Sequence, residues 1–170
     1  MTGKLLGALL ILCGCGGFGF SLCARYRREE SGLRKLLTVL DFIQCELQYR
    51  LTPLPELCRQ AGQQGNDPVS RFFDRLADEL DSRILPDVES CVREALISVE
   101  NIPAKTVRAL ELLENSLGRF DVEGQIKDLD GIREYCRMEL KTMAENRDNR
   151  LRSYQTLGIC AGAALAIIFV

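Results

Sequence analysis

Residues 153–170 read SYQTLGICAGAALAIIFV and contain no Asp, Glu, Lys or Arg. At about 1.5 Å of rise per helical residue, these 18 residues make ~27 Å, enough to cross the hydrocarbon core of a bilayer. Uncharged apolar runs of that length are rare in soluble chains. The segment therefore reads as a membrane anchor, and the remainder of the chain is placed relative to it.

The other end matches. Residues 5–24 (LLGALLILCGCGGFGFSLCA) are again uncharged and of spanning length. Between the two runs lies a charged stretch, 25–152, of a size suited to one compact domain. The sequence thus divides into an N-terminal span (1–24), a middle domain (25–152) and a C-terminal span (153–170). Arg25, Arg27 and Arg28 border the first span on its inner side, and Arg147, Arg150 and Arg152 border the second. Lys4 is the single charged side chain beyond either span. Basic residues stay on the cytoplasmic side, so the middle domain is expected in the cytoplasm and both termini outside. A competing reading takes the first run as a signal peptide. Leu12-Cys13-Gly14-Cys15 resembles a lipoprotein cleavage box, which would lipidate Cys15 and leave the helical domain extracytoplasmic. The arginine flanks would then face the wrong side.

Chemistry-bearing residues are sparse. The chain has eight Cys and no His, which removes Ser-His, Cys-His and His-metal arrangements. The cysteines stand at 13, 15, 23, 45, 58, 91, 136 and 160, with no CxxC pair. A zinc site would need thiolates from separate helices, so no metal or other cofactor is expected. The plain reading is reduced thiols acting as small apolar packing residues. The alternative from another class is a thiol-redox module using Cys13/Cys15 or Cys45/Cys136. A transporter subunit is disfavoured because neither run carries an ionisable group to mark a pathway. The middle domain carries 21 basic against 24 acidic side chains, Lys4 set aside, which gives no footprint for nucleic acid.

Periodicity makes the middle domain all-α, with five or six helices and no alternating strand pattern. Leu33, Leu36, Leu37, Leu40, Ile43 and Leu47 predict a helix over 31–51 that continues from the first span, with Gly32 as its weak point. Thr52-Pro53 marks a corner, with Thr52 as N-cap of a short helix over 53–61. Residues 62–67 read as a loop. Asp67-Pro68 opens a helix to 82 with Val69, Phe72, Phe73, Leu76 and Leu80 inward. A helix over 87–99 faces Val88, Cys91, Val92, Ala95, Leu96 and Val99 inward. Another over 104–117 uses Val107, Leu110, Leu113 and Leu117. The last starts at Asp121, turns Val122, Ile126, Leu129, Ile132 or Arg133, Cys136, Leu140 and Met143 inward, and runs on into the final span. Acidic pairs Glu111/Glu114 and Asp128/Asp130 read as solvated faces.

Several local patterns, in order, resemble a known family: Lys4-Leu5-Leu6-Gly7-Ala8; Cys45-Glu46-Leu47-Gln48-Tyr49-Arg50-Leu51-Thr52-Pro53-Leu54; Leu117-Gly118, Asp121 and Gln125; and Leu157-Gly158 with Gly162. Together they are similar to the stage III sporulation protein AB family of endospore-forming bacteria. Arg50 stands where the family's Tyr-Gly-x-Thr-Pro-Leu pattern commonly has Gly, which affects local turn geometry. The resemblance implies a cytosolic helical domain similar to that of type II secretion platform proteins and related type IV pilus inner-membrane proteins. It implies a non-enzymatic subunit of a secretion-like channel complex in the mother-cell membrane around the forespore. A secretion-type ATPase, stage III sporulation protein AA, is the implied cytosolic partner, beside other membrane subunits.

Two sets of residues are singled out. Thr52, Pro53 and Leu54, with Gly118, Asp121 and Gln125, are candidates for partner docking. Their plain reading is a helix corner, a C-cap glycine, an N-cap aspartate and a Gln that bonds to it. Gly158, Gly162 and Ala166 lie four apart, the small-residue spacing for close packing of membrane helices, here of the two spans together, with another subunit or with a second copy of the chain.

Overall fold

A computed structural model describes the backbone of residues 2–50, 52–82, 84–85, 87–117 and 122–169. Side chains are described for 21, 24–50, 52–82, 84–85, 87–117 and 122–146. Among these residues the protein is all-α. It has α1 (Thr2–Tyr49), α2 (Leu54–Gln64), α3 (Val69–Ser82), α4 (Val88–Ser98), α5 (Ala104–Glu111), a single 3-10 turn (Leu112–Asn115) and α6 (Val122–Phe169). The chain divides into two compact units, one of Met1–Arg28 with Lys141–Val170, the other of Glu29–Leu140.

The second unit is a helical domain around one apolar core. Leu33, Leu36, Val39, Leu40 and Ile43 of α1 are buried, as are Phe72, Phe73 and Leu76 of α3 and Leu129, Ile132 and Cys136 of α6. The Phe72 and Phe73 rings meet edge to face, centroids 5.1 Å apart, the geometry their quadrupoles favour. The expected stripes hold with small rotations. Val39 rather than Leu37 is buried on α1, and Ala77 rather than Leu80 on α3.

Polar bonds settle the relation of α1 to α6 in this unit. The Gln44 side-chain amide donates to Asp130 at 3.1 Å, and Arg133 pairs with Asp41 at 2.5 Å and Asp130 at 2.7 Å. Residues later in α1 thus meet residues earlier in α6, so the two segments lie side by side and antiparallel. In the first unit the Tyr26 hydroxyl donates to the backbone oxygen of buried Met143.

Four expectations are corrected. Thr52 is not an N-cap: α2 starts on Pro53 with no side-chain cap. Residues 62–64 are helical rather than loop. A Cβ on Gly62 would lie 2.4 Å from Asp74 Oδ1 and 3.3 Å from the Ser70 carbonyl oxygen, so the missing side chain lets α2 approach α3. The helix over 104–117 tightens at Leu112 into the 3-10 turn, as helix ends often do. Asp130 and Glu114 are not simply solvated. Asp130 bonds Gln44 and Arg133, and the Glu114 carboxylate is 18% exposed and 3.9 Å from Arg93.

Among the described residues no helix is long and apolar enough to cross a membrane. The side chains of the two expected spans fall almost wholly outside those residues. The backbone there belongs to α1 and α6.

Candidate functional site

The α1–α2 corner is built around Glu46, whose side chain is 12% exposed. The Arg50 amide closes the last turn of α1 on the Glu46 carbonyl at 2.7 Å. The Glu46 carboxylate accepts from the Thr52 hydroxyl at 3.4 Å and lies 3.7 Å from the Arg50 guanidinium. Thr52 therefore reaches back to α1, and its hydroxyl is unavailable to the free amides of α2. Pro53 supplies the fixed φ of a helix start, and its carbonyl accepts from Leu57 N–H at 2.9 Å. Pro53 is exposed and Leu54 half-buried.

Gln125 is one of three buried polar residues among those described, 7% exposed near the start of α6. Its height follows from the antiparallel pairing. Tyr49 lies five residues beyond Gln44, and Gln125 five residues before Asp130, each about 7.5 Å further along its helix. Thr52, Pro53, Leu54 and Gln125 thus gather at one end of the helical domain. Gly118 and Asp121 lie outside the described residues. Tyr49, 80% exposed, stands at the same end. It is the residue sequence reasoning passed over. Its place off the buried stripe at the end of α1 was the available signal, because an exposed aromatic is what interfaces favour.

The domain has two further features. Gln44, Asp41 and Asp130 converge on Arg133, whose Nε is buried without a partner. A shallow groove of about 570 Å³ opens between α4, α5 and the 3-10 turn, lined by Leu96, Ile97, Val107, Arg93, Glu111 and Glu114.

Four thiols fall among the described side chains. Among the described residues, Cys45 is exposed and Cys58, Cys91 and Cys136 are buried, all free. Burial pushes the Cys58 thiol up to about 12. Burial, helped by Glu139, pushes Cys136 to about 11, and Cys91 is raised by the same cause. Thiols held in the neutral form are poor nucleophiles and poor metal ligands. No group of His, Cys, Asp or Glu among the described residues is placed to hold a metal.

The sequence matches the family model for stage III sporulation protein AB over residues 4–170. The chain belongs to the stage III sporulation protein AB family. Membership ties it to sporulation. A relative named stage III sporulation protein AB, from Bacillus subtilis (strain 168), is 33% identical over 78 residues. That match spans 46% of this chain and 46% of the relative, so the chain aligns with about half the relative's length. A solved structure of stage III sporulation protein AB superposes with a TM-score of 0.60 at 19% identity, covering 72% of this chain and 98% of that one. At that identity the likeness establishes the fold. In this family member residues 45–50 and 52–54, part of the stretch that carried the resemblance, form the Glu46-centred corner. Gly158, Gly162 and Ala166 keep helical backbone in α6, while their side-chain surroundings lie outside the described residues.

Proposed function

We propose that this family member is a non-enzymatic platform subunit of a secretion-like sporulation complex. Both apolar ends span the mother-cell membrane around the forespore, and the helical domain faces the cytoplasm. There it holds a secretion-type ATPase, stage III sporulation protein AA, through the end of the domain that carries Tyr49, the Thr52–Leu54 corner and Gln125. The observation that carries this reading is the length of α1 and α6. Each is a 48-residue helix joining one uncharged terminal run to the domain without a break. Helices shared in this way would pass a rearrangement of the domain to the membrane. The raised Cys136 thiol weighs against a Cys45/Cys136 redox pair.

The test is capture of the full chain from sporulating-cell membranes with the ATPase as bait, beside carbonate extraction of the membranes. Retention by the ATPase and resistance to carbonate support the proposal. A chain released by carbonate, or one that never binds the ATPase, defeats it. A Cys-free variant that keeps sporulation removes the redox alternative.

A further inference from the structure

Most arginines of the helical domain are paired. Arg34, Arg50, Arg59, Arg71, Arg93 and Arg133 each meet a carboxylate within 4.0 Å. Arg25, Arg27 and Arg28 differ. All three are exposed, and among the described residues none makes an ion pair. Arg75, Arg108 and Arg137 also lack one, but each stands singly.

The reason lies in the acidic neighbours. Glu29 is four residues after Arg25, the spacing at which a helix pairs opposite charges. Its carboxylate instead accepts from the Ala104 and Lys105 amides at 3.1 and 3.0 Å. Glu30 pairs with Arg34 at 2.9 Å. Three positive charges within four residues are left uncompensated, directly beside the uncharged run 5–24. Their arrangement indicates the kind of ligand. At 3.6 residues per turn, Arg25 and Arg28 share one side of α1 while Arg27 lies nearly opposite. A protein or a nucleic acid approaches one face of a helix, whereas a headgroup layer surrounds it.

We infer that Arg25, Arg27 and Arg28 form a collar that recruits anionic phospholipid headgroups, through their phosphodiester oxygens, where α1 meets the bilayer. The inference rests on the membrane reading above and adds to it a lipid class and the residues that select it. A basic side chain near an anionic surface favours it by about fivefold, and the preference weakens with salt.

The full chain is reconstituted into vesicles of phosphatidylcholine and phosphatidylglycerol, with spin-labelled versions of each lipid as probes of the protein-bound shell. Labelled phosphatidylglycerol should be enriched over phosphatidylcholine by about fivefold or more at low salt. Arg25→Gln/Arg27→Gln/Arg28→Gln should remove most of that enrichment, while the Lys triple variant should keep it. Helical content should be the same in all three chains. Equal enrichment in wild type and the Gln variant overturns the inference. Displacement of labelled phosphatidylglycerol by inorganic phosphate, or by a short RNA, at modest concentration also overturns it, by assigning the arginines to a soluble ligand. A chain that fails to insert and shows no bound-lipid signal overturns the membrane reading itself. An inserted chain without lipid preference overturns the collar alone.

Discussion

Gly32 and Gly131 both sit inside long helices, where glycine is about 1 kcal/mol worse than alanine. Their surroundings reverse what substitution does. A Cβ on Gly32 would lie 2.4 Å from Thr106 Oγ1 and 3.0 Å from Pro103 Cγ, so the glycine is the seat on which the start of α5 rests against α1. Gly131 is exposed and has nothing within 4 Å of the same atom. Gly32→Leu should therefore lower stability by about 1–3 kcal/mol through overpacking. Gly131→Ala should raise it by ~0.5–1 kcal/mol. Thermal unfolding of the full chain in detergent, followed by helical circular dichroism, reads both. Equal effects would mean propensity alone governs the two sites. The buried thiols give a second prediction at this scale. Cys58 and Cys136 ionise near 12 and 11 in the folded chain but near 9.0 when unfolded. Raised folded values mean their contribution is intact below pH 9 and is lost as pH climbs toward 11–12. Unfolding midpoints should fall across that window, and a Cys58→Ala/Cys136→Ala chain should show a shallower fall.

At the scale of elements, α5 shows how a short helix is held from outside itself. It has eight residues and begins on Pro103, which offers no capping side chain. Isolated helices of that length are unstable. The Glu29 carboxylate, on α1, accepts from its first two amides, placing negative charge at the positive end of the helix dipole. Lys105 then ties α5 to Glu139 of α6. Glu29→Ala should cost about 1–2 kcal/mol and speed hydrogen exchange at residues 107–111 before the rest of the domain. Glu29→Gln should restore part of the loss, because its amide oxygen still accepts a bond but carries no charge. This cap was not legible in the sequence, since its donor and acceptor lie 75 and 76 residues apart. The helices themselves were. Leu33, Leu36, Leu40 and Ile43 repeat at the helical period, and each Pro boundary starts an element close to where it was expected. Thr52 misled because a Thr before Pro is a good cap by local rules, yet Glu46 one turn back on α1 competes for its hydroxyl. Of the candidate docking set, the corner and Gln125 could be named from sequence, but their convergence needed the antiparallel register of α1 and α6. Tyr49 lies off the buried stripe in the sequence, but how far its ring is exposed is a property of the assembled domain.

Across the whole helical domain, the polar set on Arg133 and the exposed end near Tyr49 divide two kinds of work. Arg133 joins α1 and α6, but Asp41 and Asp130 are 52% and 55% exposed. Pairs that open to water stabilise by only about 0.2–1 kcal/mol each. Arg133 thus contributes more to the register of the two helices than to their stability, and register decides whether Tyr49 and Gln125 share one end. Two variants separate these contributions in one assay. Tyr49→Ala removes an 80% exposed ring, so the unfolding midpoint should hardly move. If that end holds the ATPase, capture by the bait should fall about tenfold or more, the size expected when an aromatic anchor at an interface is truncated. Arg133→Met keeps the length and apolar stem of the side chain while releasing Asp41, Asp130 and Gln44. It should lower stability by no more than ~2 kcal/mol and weaken ATPase capture only to the extent that α1 slips against α6. Loss of capture in Arg133→Met with full capture in Tyr49→Ala would move the docking surface away from this end, toward the groove lined by Leu96, Ile97 and Val107. An unchanged midpoint with weakened capture in Tyr49→Ala alone would place the contact on the ring itself, because the ring is largely exposed and adds little to the core.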